Sequence, residues 1–187
     1  LAQSGKLRTG DIVFHCSGAL ASEALAPARA RGAHLASVHP LRSFAAPERA
    51  VQSFAGTLCA AEGGEEALAA LSPLFSTIGA QIIAIAAQHK LLYHAGAVLA
   101  CNHLVALIDA ALQCLEGAGL PRDSALAALQ PLIAGTLENI EARGTRGALT
   151  GPLARGDLAT VQAEIAATSS LAPELGRSYA QLSRQAV

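Results

Sequence analysis

The chain has 187 residues and a net charge of −1, with 52% hydrophobic, 14% charged and only 3% aromatic residues. A near-neutral chain with no basic stripe and few rings to stack on bases does not suit a nucleic-acid binder. The length fits one large domain or two small ones, and Ala and Leu dominate, which favours an aliphatic and mostly helical core.

Four cysteines, Cys16, Cys59, Cys101 and Cys114, stand in apolar runs with no C-x-x-C spacing. They read as free buried thiols of a reducing, cytoplasmic environment. Residues 1–11 lack the apolar stretch of a secretion signal. The chain contains no Met and opens on what reads as the end of a helix over 1–7. This suggests the rear portion of a longer protein.

In chain order, a short buried strand is expected over 11–16, after a turn at Gly10. A helix follows over 20–31, closed by Gly32. A second strand runs over 33–38, and His39-Pro40 must be extended or turning, because proline disfavours helix at the residue before it. Residues 40–54 read as irregular loop. A third strand over 56–61, an amphipathic helix over 65–78 and a fourth strand over 80–85 complete an alternating α/β layer.

After residue 86 the pattern becomes helical. One long apolar helix is expected over 88–116 and a second over 121–143, kinked or broken at Pro131. A Gly-rich loop over 144–156 precedes two helices over 157–168 and 173–184. The predicted fold class is α/β followed by all-α, with a domain boundary near Ile85: residues 1–85 form one part and 86–187 the other. The apolar helix over 88–116 is long enough to span a membrane, but His94, Asn102, His103 and Asp109 fall within it, and each is expensive in lipid. It is better read as central in a core or sandwiched in a homodimer.

Lys90 is one of two lysines and the only charged residue between Glu66 and Asp109. His94, four residues on, shares its helix face. Two cations side by side in an apolar setting disfavour double protonation, so either group is poised to give or take a proton near neutral pH. Asn102 lies eight residues beyond His94, about 80° around the helix, and can orient a carbonyl or carboxylate. It can equally bond between helices. Ser17-Gly18 and His39 sit at predicted strand ends, where ligands gather in open α/β sheets. A metal set from His15, Cys16 and His39 lacks any close-spaced ligand pair, so no metal site is expected. The loop over 148–157 holds Thr150, Arg155 and Asp157. Arg155 suits a bidentate clamp on a carboxylate or phosphate, and Asp157 suits a helix N-cap. A G-x-G-x-x-G cradle and a P-loop are both absent from the sequence.

Several segments together resemble one bacterial family that joins an N-terminal Rossmann-like NADP-oxidoreductase domain to a helical C-terminal domain of unknown function. They are His15-Cys16-Ser17-Gly18-Ala19-Leu20, Ser37-Val38-His39-Pro40-Leu41-Arg42-Ser43-Phe44, Lys90-Leu91-Leu92-Tyr93-His94-Ala95, Asn102, and Ala148-Leu149-Thr150-Gly151-Pro152 through Arg155-Gly156-Asp157. The resemblance implies an architecture similar to ketopantoate reductase, 6-phosphogluconate dehydrogenase and the β-hydroxyacid dehydrogenases. It also implies NADP or NAD bound mainly by residues outside this chain. Those relatives carry a Lys with an Asn four residues later on the first long helix after the nucleotide-binding domain. Lys90 fits the Lys, and His94 stands where the Asn would be.

Two readings follow. In the first, the chain belongs to an NAD(P)-dependent oxidoreductase that acts on a small keto or hydroxy acid, or on a related carbonyl or imine. Lys90 is then the general acid and His94 its tuning or relay partner. Asn102, Thr150 and Arg155 hold the substrate, while Ser17, Gly18 and His39 line the cofactor. In the second, the chain is a dimeric nucleotide- or metabolite-binding module without turnover.

Overall fold

The computed structural model describes residues 5–186. The chain divides into two compact units, residues 1–104 and 105–187. The expected helix end over 1–7 falls partly outside the described residues, and residues 5–7 are not helical.

The first unit is built on a four-stranded mixed sheet of β1 (Ile12–His15), β2 (His34–Pro40), β3 (Leu58–Gly63) and β4 (Gln81–Ala84), in that spatial order. β1 and β2 run parallel with Ile12 opposite His34 and His15 opposite Ser37. β2 and β3 are antiparallel, with Ser37 opposite Glu62 and Pro40 opposite Cys59. β3 and β4 are again parallel. The carboxyl ends of β1 and β2 therefore lie side by side.

Strand side chains alternate between faces. Ala36 and Val38 point from β2 into a core with Cys59, Ala61, Leu71 and Ala80, against which α3 (Glu65–Thr77) packs. The other face of β2 presents Leu35, Ser37 and His39 in succession. Leu35 joins Ala28 and Ala33 in a second cluster beneath the segment after β1. Ser37 and His39, further along the same face, are left for polar work.

The helix expected over 20–31 is instead a 3-10 turn at Ser22–Leu25 followed by one helical turn, α1 (Ala26–Arg29). Pro27 lacks the N–H that would carry a continuous helix through this stretch. It closes at Gly32, which takes φ +80°. The expected loop over 40–54 contains a short helix, α2 (Pro47–Gln52), with Pro47 in its first turn, where the missing N–H costs nothing.

The long apolar helix is two helices, α4 (Lys90–Ala100) and α5 (Asn102–Gly117), preceded by a 3-10 turn at Ala87–His89. The break lies at Cys101 (φ −116°, ψ −69°), with neither proline nor glycine at the step. By length and composition the stretch Ala87–Gly117 is apolar enough to cross a membrane.

In the second unit, α6 (Arg122–Ala148) keeps helical dihedrals through Pro131 and breaks at Gly144 (φ +69°), where the helix expected over 121–143 ends. Glycine reaches left-handed φ without a steric penalty, so it is the natural place for that step. The expected Gly-rich loop over 144–156 holds a short helical turn after the break at Gly144, ending at Ala148, and then α7 (Gly151–Arg155). α8 (Leu158–Leu171) is capped by Asp157, whose carboxylate accepts from Thr160 N at 3.1 Å and Thr160 Oγ1 at 2.7 Å. α9 (Pro173–Ala186) packs on α8. Tyr179 Oη donates to Glu164 across that pair at 2.5 Å, and its phenol is pushed up to about 12 by burial and by the carboxylate.

Two glycines of opposite character test this packing. Gly63 has φ +141°, and a Cβ there would lie 2.4 Å from Leu35 O and 2.6 Å from Ala36 Cα. Gly135, within α6, has nothing within 4 Å of its Cβ position. In denaturant titrations of the purified protein, Gly63→Ala is expected to lose about 1–3 kcal/mol or more, whereas Gly135→Ala gains up to about 1 kcal/mol. Equal behaviour of the two would contradict the strand pairing described.

Candidate active site

Lys90 is the first residue of α4 and is 1% exposed. Its ammonium donates to Ser17 O at 3.0 Å and to Ser37 Oγ at 2.6 Å. Ser37 Oγ lies 3.3 Å from the same Ser17 carbonyl. One buried cation thus ties the turn after β1 to the middle of β2. The register dictates this geometry. Ser37 stands opposite His15, and Ser17 is two residues beyond it.

The turn itself is held by His15. Its Nδ1 accepts from Ser17 N at 3.2 Å, which leaves Nε2 to donate to Ala21 O at 3.2 Å. Both ring nitrogens are thereby used within the turn. Among the described residues no group of three His, Cys, Asp or Glu side chains is placed to hold a metal ion.

Gly18 is buried between two imidazoles. A Cβ there would meet His94 Nδ1 at 2.5 Å and His39 Nε2 at 2.8 Å. His39 and His94 rings meet edge to face, with centroids 5.9 Å apart. His39 Nδ1 lies 2.9 Å from Tyr93 Oη, and those rings too are edge to face at 5.5 Å. Burial lowers the His39 pKa, and the charges of His94 and Lys90 push the same way. Burial raises the Tyr93 phenol, with Cys59 adding to it. His94 Nδ1 is buried without a hydrogen-bond partner.

Beside these rings opens a cleft of about 620 Å³, walled by His39, Arg42, Tyr93, His94, Cys101 and Asn102 among others. Asn102 is exposed at the start of α5. Arg42 bonds to the hydroxyls of Thr57, at 3.3 Å, and Ser53. The structure therefore gathers Ser17, Gly18, His39, Lys90 and His94 into one neighbourhood and sets Asn102 on the cleft wall. Thr150 and Arg155 belong to the other compact unit, where both are exposed and Arg155 ends α7.

Three contributors have no role in the sequence reading. Ser37 and His39 share a strand face, and that alternation was the available signal for Ser37. Tyr93 lies three residues after Lys90, within reach of the same helix face. Glu62 is a lone carboxylate in a buried strand. It accepts from Ser22 N at 2.6 Å and Ser22 Oγ at 2.8 Å.

The fold is Rossmann-like, a sheet followed by a helical region, and is shared with several solved structures. TM1727 of Thermotoga maritima shares 29% identity with a TM-score of 0.75, over 94% of this chain and 68% of that one. BF3122 of Bacteroides fragilis, provisionally described as an NADP oxidoreductase, shares 21% with a TM-score of 0.76, over 94% and 64%. A reductive aminase of Aspergillus terreus, in complex with NADPH and ethyl-5-oxohexanoate, shares 16% with a TM-score of 0.69, over 98% and 67%. The chain spans about two thirds of the length of each. It belongs to the family described as a domain of unknown function, DUF2520, whose profile matches residues 57–186. No curated protein sequence matches it.

The buried ammonium has a measurable consequence. Burial holds the Lys90 pKa below its ordinary 10.5, against an upward pull from Glu62 and Cys16. The unfolded chain then binds this proton more tightly than the folded one. Stability attributable to Lys90 rises with pH between the lowered value and 10.5, and below that window the full cost of the buried charge is carried. Compared with Lys90→Met in chemical denaturation, the wild type is expected to gain on the variant as pH climbs through that window. A difference that stays flat with pH would contradict the burial of a charged amine.

Proposed function

We propose that the chain carries the substrate-side reaction centre of an NADP(H)-dependent oxidoreductase that reduces a carbonyl or imine of a small acid. The observation that supports this most is Lys90, a buried cation at the adjoining carboxyl ends of two parallel strands, beside a cleft rimmed by Tyr93 and two histidines. Strand carboxyl ends are where α/β folds bind ligands.

The residues fit the nicotinamide end of such a cofactor. The cleft has room for a flat ring, and its wall offers histidine and tyrosine groups that donate or accept hydrogen bonds. They do not offer a phosphate cradle. The sequence has no glycine fingerprint, and Arg42 is already bonded to Thr57 and Ser53. In this reading the dinucleotide phosphates are held by sequence beyond these 187 residues. When bound, the reduced nicotinamide supplies hydride.

The chain's own residues supply position and charge. Lys90 fixes Ser17 and Gly18 at the strand end. Gly18 lets His39 and His94 close on the turn. The buried cation favours negative charge that develops on the substrate oxygen or nitrogen, and it does so in a low-dielectric setting where it acts strongly. Asn102 orients the substrate from the cleft wall.

The apolar stretch Ala87–Gly117 is best covered by a second copy of the chain. Leu91, Leu92, Leu99 and Val105 are all exposed on it. A bilayer is disfavoured, because Lys90 is bonded into the sheet and the stretch carries Asn102, His103 and Asp109.

Calorimetry on the full-length protein is expected to show NADPH binding, and keto acids or imines are expected to drive NADPH oxidation. Lys90→Met should lower kcat by about 100-fold or more while NADPH still binds. Wild-type turnover in Lys90→Met would remove the residue from the reaction. Sedimentation at micromolar concentration should give a dimer that Leu92→Glu dissociates. A wild-type monomer would refute the pairing.

A further inference from the structure

Reduction of a carbonyl or imine takes up a proton as well as a hydride, and the donor must reach the substrate. Lys90 is sealed from the cleft. It is 1% exposed, two of its N–H bonds are directed to Ser17 O and Ser37 Oγ, and it does not wall the cavity. Of the groups that do, Arg42 does not release its proton. His94 turns its Nδ1 toward Gly18. Of the lining groups that can give up a proton, Tyr93 and His39 are joined to each other at 2.9 Å, so that one can resupply the other.

We infer that Tyr93 is the catalytic acid of this site and that His39, bonded to its hydroxyl, restores its proton. This rests on the oxidoreductase reading above. The two residues come from different elements, α4 and β2, and meet on the cleft wall with their rings locked edge to face. The directions of their shifts agree with a resting pair of neutral phenol and neutral imidazole. With the imidazole proton on Nδ1, His39 donates to Tyr93 Oη, and the phenolic hydrogen is free to face the cleft.

When bound, the reduced dinucleotide would supply the hydride of the new C–H bond, and the π pair of the C=O or C=N would move onto the heteroatom. The Tyr93 O–H bond breaks as its proton bonds to that heteroatom. The phenolate then takes the Nδ1 proton of His39 as Nε2 accepts one from water. The substrate is reduced, the dinucleotide is oxidised, and one proton is drawn from solvent.

The test uses the full-length protein with NADPH and a panel of keto acids and cyclic imines, plus histidine NMR on ¹⁵N-labelled protein without substrate. Tyr93→Phe keeps the ring and removes only the hydroxyl. Its kcat is expected to fall by about 100-fold or more with KM changed only a few-fold. In the NMR spectra wild-type His39 is expected to carry its proton on Nδ1, and Tyr93→Phe to shift it toward Nε2. Undiminished turnover in Tyr93→Phe, or a His39 tautomer that the substitution leaves unmoved, overturns the assignment alone. No turnover by the wild type with any member of the panel overturns the oxidoreductase reading and the assignment with it.

Discussion

Taking an ammonium out of water costs several kcal/mol unless the interior replaces what water gave it. Lys90 is such an ammonium, and its replacements are modest: one backbone carbonyl and one serine hydroxyl. The Glu62 carboxylate pulls on it electrostatically but spends its own hydrogen bonds on Ser22. The rest of the first unit is consistent with the need to hold this cation. β1 and β2 must be parallel and in the observed register for Ser17 and Ser37 to converge. α4 must begin at Lys90 for the side chain to enter between them.

The same constraint explains the small residues around it. Gly18 is flanked by two imidazoles so close that a methyl group could not be added. His15 spends both ring nitrogens on the turn that carries Ser17 and Gly18. A polar cluster of this kind rigidifies only when its members are satisfied. Here one ring nitrogen, His94 Nδ1, is buried beside Gly18 without a protein partner.

Much of this was legible in the sequence. The alternation of β1 to β4 with α3 followed from apolar runs and Gly punctuation, and the shift to helix after residue 86 followed from composition. Lys90 stood out because it was the one charge in a long apolar stretch. His39 and Gly18 were placed at strand ends by a general rule of α/β sheets. The break at Cys101 was not legible, since neither proline nor glycine marks it. The dihedrals stay helical at Pro131, and the break falls at Gly144, the boundary that the Gly-rich run marked in the sequence. Ser37 and Tyr93 were missed because their importance lies in pairing across elements. Strand register brings Ser37 to the Lys90 ammonium, and packing of α4 on the strand end brings Tyr93 to His39. Neither is a property of local sequence.

The most direct test of the account is ¹⁵N NMR of lysine side chains in the full-length protein. This chain contributes only Lys6 and Lys90, and substitution of each assigns its signal. A buried, hydrogen-bonded Lys90 predicts an ammonium whose protons exchange with water slowly enough to be observed and whose signal moves when NADPH is added. An Nζ signal for Lys90 that exchanges as fast as a solvated lysine's, and that ignores NADPH, would contradict both the buried cation and the site built on it.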